Sequence, residues 1–167
     1  MLPGMQDIAT ELSSFADEIR PRLLAIPEGR ASDQPYAEKW SLKGILGHLV
    51  DSAVNNHQRI VRMQESADIG KFGYTPEHWV RSQHYDARHW VELVDLWFQL
   101  NVHLSHVIAH VDPSTLAHTC DMGYAAPATL RFVIEDYVRH VRHHVEQILG
   151  GSDPRQRKRW VPRDPAA

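Results

Sequence analysis

Apolar residues recur every three or four positions in four separate stretches of the chain, and each stretch predicts an amphipathic helix. In the first, Ile8, Leu12, Phe15, Ile19 and Leu23 mark a helix from about Asp7 to Leu24, strained or kinked near Pro21. The second opens at Ser41, an N-cap candidate that follows Trp40, and runs through SLKGILGHLVDSAVNNHQRIVRMQES to Glu65. The third has Asp86 as its N-cap candidate; Trp90, Leu93, Val94, Trp97, Leu100, Leu104, Val107, Ile108 and Val111 give it a broad apolar face, and Asp112-Pro113 ends it. In the fourth, Leu130, Val133, Ile134, Tyr137, Val141 and Ile148 form a stripe that stops at Gly150-Gly151.

The connections differ in character. Residues 26–39 are polar, with Pro and Gly. From Ser66 to Tyr85 the chain carries Gly70, Gly73 and Pro76 and no sustained period, while Phe72, Tyr74, Trp79 and Tyr85 predict that this long connection packs rather than floats. A second loop covers Asp112 to Pro127. Strand-like alternation appears nowhere at useful length, and there is no internal repeat, so the fold class is all-α: a four-helix bundle with a long crossover between the second and third helices. Residues 1–153 are read as one domain. Residues 154–167 are read as a basic C-terminal tail, where Arg155, Arg157, Lys158, Arg159 and Arg163 surround Trp160, either solvated or docked, or else contacting an anion or a nucleic acid.

Composition adds bounds. With 167 residues, 43% of them apolar, the chain is large enough to hold one core without disulfide or metal staples, and no stretch is long and apolar enough to span a bilayer. A single cysteine, Cys120, and an opening without the regions of a signal peptide point to the cytoplasm. Lys+Arg 18 against Asp+Glu 21 gives −3, but 12 histidines make even the sign pH-sensitive, so net charge selects no partner. A small-molecule substrate, no nucleic acid, no membrane and a homodimer through faces carrying Trp90 and Trp97 are the expectations.

The histidines are sorted by the face they occupy, because a helix turns about 100° per residue. With Tyr137 at zero, His144 falls near about −20° and His140 near about −60°, both on the apolar stripe, and the four-residue spacing lets the two rings reach one ion; His143 lies about 120° away. In the third helix, His106 and His110 share that spacing and His103 is close by, but all three lie roughly 100–160° from Leu104 and face outward. In the second helix, with Ile45 at zero, His48 lies near about −60°, and Ser52, Asn55 and Arg59 near about −20°, −80° and −40°, a polar line along an apolar flank. That line is either a bundle edge meeting water or the wall of a pocket in which His48, His140 and His144 bind one divalent ion. An inward histidine is also a common hydrogen-bonded core residue.

Other chemistries lack their motifs. No Glu-x-x-His, His-Glu-x-x-His, phosphate-cradling Gly-x-x-x-x-Gly-Lys-Ser/Thr or Gly-x-Ser-x-Gly run is present. Cys120 has no evident activating partner and reads as a neutral, partly buried thiol.

The segments W-S-L-K-G-I-L-G-H-L-V-D-S (Trp40 to Ser52) and Y-V-R-H-V-R-H-H-V-E-Q-I (Tyr137 to Ile148) resemble the DinB superfamily, most closely its YfiT-like branch. The resemblance rests on the Trp-Ser start of the second helix, on the pattern filled by His48, Leu49, Asp51, Ser52, Asn55 and Arg59, and on the late His-x-x-His-His group. It implies up-down-down-up topology and a metal held by three histidines that match His48, His140 and His144. It further implies an enzyme, either a hydrolase or a transferase using a low-molecular-weight thiol such as bacillithiol or mycothiol.

Three neutral imidazoles leave a dication its full Lewis acidity, so either a metal-bound water or a metal-bound thiolate would attack a small electrophile. Ser52, Asn55 and Arg59 would bind substrate or cofactor, Arg59 by holding a carboxylate on the thiol. Zn is the default ion and Ni the next. The competing reading is a non-catalytic metal- or small-ligand-binding stress-response bundle, and an open, polar pocket at the histidines would favour the enzyme.

Overall fold

In the computed structural model of the chain, which describes residues 3–34, 36–150, 160, 161 and 165, all four apolar stripes become helices. The first is α1 (Met5–Leu24), which runs on through Pro21 for one more residue triplet before ending. A five-residue helix, α2 (Glu28–Ser32), interrupts the polar segment that follows. Ser41 caps α3 (Leu42–Glu65) by accepting from the Gly44 N–H at 3.0 Å. The long connection then forms β1 (Asp68–Lys71), α4 (Pro76–Ser82) and a 3-10 turn at Tyr85–Ala87 before α5 (Trp90–Ala109). The second loop holds a 3-10 turn at Pro113–Thr115 and β2 (Thr119–Asp121), and β3 (Ala128–Thr129) leads into α6 (Leu130–Leu149), capped by Thr129.

Each long helix turns its stripe inward: α1 packs on α5, α5 on α3, α3 on α6, and α6 on α1. Trp90, Trp97 and Tyr137 are the largest of the residues fully enclosed there, with Leu12, Leu23, Leu46, Leu49, Ile60, Met63, Leu93, Leu104 and Ile108 packed around them. Within this core Asn101 accepts the Tyr137 hydroxyl at 2.7 Å, fixing α6 to α5 with a satisfied polar pair. Among the described residues no helix is long and apolar enough to cross a membrane.

The structure corrects the sequence reading in several places. A small sheet of order β1-β2-β3 is present, β1 parallel to β2 and β2 antiparallel to β3, and it stitches the two long connections together. Its strands have four, three and two residues, too short to leave an alternating signal. Asp86 does not cap the third stripe. It sits in the 3-10 turn and accepts from the Ser41 hydroxyl, while Glu28 receives the Trp90 N–H at 2.8 Å and so satisfies the start of α5 from a distant segment. Glu28 also holds the ammonium of Lys43, whose side chain is 4% exposed, so one carboxylate joins α2, α3 and α5. Trp90 and Trp97 are buried, and the surface on which a homodimer was expected is part of the core. The basic cluster Arg155, Arg157, Lys158, Arg159 and Arg163 lies outside the described residues.

The crossover is seated on α3 at one point. Tyr85 lies so close to Gly47 that a Cβ there would stand 2.1 Å from the Tyr85 ring. One turn later Asp51, buried, accepts from the Tyr85 hydroxyl and from the Gln83 side-chain amide. Gly47→Ala is therefore expected to lower stability by about 1–3 kcal/mol through overpacking, read as a lower urea midpoint at unchanged slope.

Candidate metal centre

His48 on α3 and His140 and His144 on α6 meet at the face where these two helices pack. They are 6%, 9% and 7% exposed, their ring centroids are 4.5–5.0 Å apart, and one ring nitrogen from each lies within 4.8 Å of the other two. His48 Nε2 and His140 Nε2 are 3.1 Å apart. Two nitrogens held about 2.0–2.1 Å from a shared ion would have that separation at an angle of roughly 100°, close to tetrahedral.

The surrounding groups decide which nitrogens keep a lone pair. An arginine only donates, so Arg59, whose Nη1 meets Asn56 at 3.1 Å, turns the amide oxygen of Asn56 toward itself and its NH2 toward Ser52. Asn56 donates to the Ser52 hydroxyl oxygen, which also hydrogen-bonds Tyr74 and lies 3.3 Å from His140 Nδ1. The tautomer of His140 whose Nδ1–H donates to Ser52 is the one that has Nε2 bare for an ion. Gln147 acts in the same way on α6: its oxygen accepts from His144 Nδ1 at 2.8 Å and its NH2 donates to His143 Nε2 at 3.0 Å. His144 Nε2 and His48 Nδ1 are buried, and neither has a partner among the described residues. The orphaned Nε2 of His144, on a ring packed against the other two, is what a metal site presents without its ion.

Burial also keeps these rings neutral. It pushes His48 down to about 3 and His144 to about 4, and holds His140 well below the ordinary histidine range, with neighbouring imidazoles adding repulsion at each ring. Three uncharged nitrogen donors, two of them at ligand spacing and the third close by, fit a divalent ion.

The histidines open into a cavity of about 740 Å³, which is lined by Ser52, Asn56, Arg59, Tyr74, Tyr124 and Tyr137, among others. Trp40 is tilted against His48 at 5.2 Å between ring centroids, and Trp160 meets His140 edge-on at 4.9 Å, so two indoles pack on the cluster. Trp160 is held by the guanidinium of Arg139, 4.0 Å above its ring.

The family model described as the DinB superfamily matches residues 11–148. The chain belongs to the DinB superfamily. Neither a curated protein nor a solved structure matches it.

Of the residues singled out in the sequence, this DinB domain brings together His48, His140, His144, Ser52 and Arg59. Asn55 is buried but turned away: its amide donates to the Asp51 carbonyl at 2.8 Å and it does not line the cavity. Its neighbour Asn56 takes that place. The helical arithmetic that selected Ser52 puts Asn56 at about +20°, nearer the centre of the face than Asn55, so the signal was present. Asp51 serves the crossover rather than the cavity. Asp136, one turn before His140, also lines the cavity and pairs with Arg139. At about −100° from Tyr137 it lay too far round the wheel to be chosen. His143 touches the partner of His144 rather than joining the cluster. His103, His106 and His110 are exposed on α5, as their angles required. Cys120 is fully buried on β2, and burial raises its thiol.

Each clustered histidine takes up a proton near pH 6.5 in the unfolded chain but stays neutral in the folded one, so the unfolded state binds more protons below that pH. The metal-free protein is expected to keep its full stability above pH 7 and to lose it as the pH falls from 6.5 toward 4. Urea midpoints at pH 7 and pH 5 measure the loss, and replacing His48, His140 and His144 together by Gln should flatten it.

Proposed function

We propose that this chain is a metal-dependent enzyme of the YfiT-like DinB type, its four long helices arranged up-down-down-up, with His48, His140 and His144 holding one divalent ion, Zn by default and Ni next. The observation that carries the reading is the cavity: about 740 Å³ of space opens directly onto the three imidazoles instead of being filled by side chains. A bundle that kept a vestigial or purely structural cluster would have no need of that room, which is the size of a small-molecule site.

When bound, the ion supplies Lewis acidity, which makes a water or a low-molecular-weight thiol nucleophilic near neutral pH. The protein's own residues set the conditions for this. Gln147, whose oxygen can only accept, fixes the His144 tautomer with Nε2 bare, and Ser52 offers His140 Nδ1 a partner that supports the same tautomer there. Trp40 and Trp160 pack against the rings at the rim of the cavity and limit their contact with bulk water. No carboxylate joins the cluster among the described residues, so the ion would keep its full positive charge. That favours a thiol S-transferase over a hydrolase, because a thiol held as thiolate has less need of a general base. The small electrophilic substrate, the cytoplasmic setting and a homodimer pairing through a face other than that of Trp90 and Trp97 belong to the same proposal. A single sedimenting species of monomer mass at micromolar concentration would remove the dimer.

Protein purified without a nickel column is expected to carry about one equivalent of metal per chain, and His144→Ala to carry none while its far-UV helical spectrum is unchanged. The His106→Ala/His110→Ala double variant should retain the metal. A folded wild type without metal would return the weight to a non-catalytic binding module.

A further inference from the structure

Arg59 is charged, 4% exposed and lacks a carboxylate within ion-pair distance among the described residues. Buried charges are ordinarily paired, because a desolvated ion left without a counter-charge is costly. What surrounds this one is neutral. Its Nε and Nη2 donate to the Phe72 carbonyl at 3.1 and 2.9 Å, its Nη1 to the Asn56 amide oxygen, and the Phe72 and Tyr74 rings lie 5.6 and 6.0 Å from it. Burial pushes the Tyr74 hydroxyl up, and that of Tyr124 up to about 12, so both phenols beside it keep their protons.

A guanidinium has five N–H groups, and these contacts use three. One N–H on Nη1 and one on Nη2 remain, on a side chain that lines the cavity. The acidic residues that share the cavity do not neutralise it: Asp136 is paired with Arg139, and Glu38 and Glu77 are exposed at the rim.

We infer that the remaining edge of Arg59 is a subsite for a carboxylate of the cavity's ligand, placed along α3 from the three histidines so that one molecule reaches both. The one charge of Arg59 balances one negative charge, and its two remaining N–H groups match the two oxygens of a carboxylate; Lys39, the other Lys or Arg among the lining residues, stands on the segment before α3. Three polar contacts in series, Arg59 to Asn56, Asn56 to Ser52 and Ser52 to His140, bridge guanidinium and imidazole along one cavity wall. The ligand class is thus a carboxylic acid whose other end, thiol or electrophile, lies at the histidine cluster. That last clause rests on the metal-centre reading; the subsite itself does not.

The test separates the two. On metal-free protein, titration calorimetry compares hexanoate with hexanamide, which has the same shape and no charge. Hexanoate is expected to bind about tenfold more tightly, and the ratio to fall to about one in Arg59→Met. Arg59 also ties Phe72 to α3, so the wild-type comparison stands without the variant, and Arg59→Lys, which keeps the charge but not the fork, should fall between the two. Hexanoate binding no better than hexanamide, including failure of both to bind, overturns the subsite, as does a preference that survives in Arg59→Met. On zinc-loaded protein, 6-mercaptohexanoate is compared with hexanoate. A carboxylate preference with no gain from the thiol leaves the subsite standing and overturns the thiol reading; a thiol gain with no carboxylate preference does the reverse.

Discussion

The seat of Tyr85 against Gly47 governs the architecture around the cavity. The chain leaves α3, crosses more than twenty residues and must return to start α5 alongside, and it does so by laying an aromatic ring where α3 has no side chain. Asp51 then takes the hydroxyl of that ring and the amide of Gln83, so position and rotation of the crossover are both set. Burial raises the Asp51 carboxyl above its ordinary range, opposed by the two hydrogen bonds it accepts, and this cost is borne to hold a segment rather than to do chemistry. With the crossover fixed at one end and tied to β2 at the other, Phe72 and Tyr74 are delivered to Arg59 as one wall of the cavity.

Electrostatics inside that wall follow a single logic. The histidines are kept uncharged by desolvation, while Arg59, whose affinity for its proton is far greater, stays charged under the same desolvation. The interior therefore presents neutral donors at one end and a fixed positive charge at the other. Between them Asn56 and Ser52 link one to the other: the donor-only guanidinium fixes the orientation of an amide, the amide donates to a hydroxyl, and the hydroxyl contacts a ring.

The four long helices were legible because their apolar stripes are long and periodic, and His48, His140 and His144 because an inward angle distinguishes them from His103, His106 and His110 at similar spacing. What the sequence concealed was settled by contacts between distant segments. Glu28 reaches the start of α5 from α2, which displaces Asp86 from the capping role that local sequence assigned to it. The strands exist only because residues 68–71 and 119–121 are brought side by side. Trp90 and Trp97 belong to the broad apolar face read on the third helix, and the core takes both, so neither is left for the homodimer face on which they were also expected. Asn55 and Asn56 differ by one step on a helix; the choice between them turned on the Arg59 contact, which links residues three apart through an orientation no pattern encodes.

Trp160 shows how cavity and scaffold divide their labour. The imidazoles are fixed by two long helices that also build the core, whereas the rim is assembled from pieces outside those helices: Trp40, Tyr74, Met122, Tyr124 and Trp160. Such segments tolerate change far better than packed helices do. The rim can therefore change by substitution without disturbing the two helices that hold the histidines, so what the cavity admits is separable from the cluster at its base.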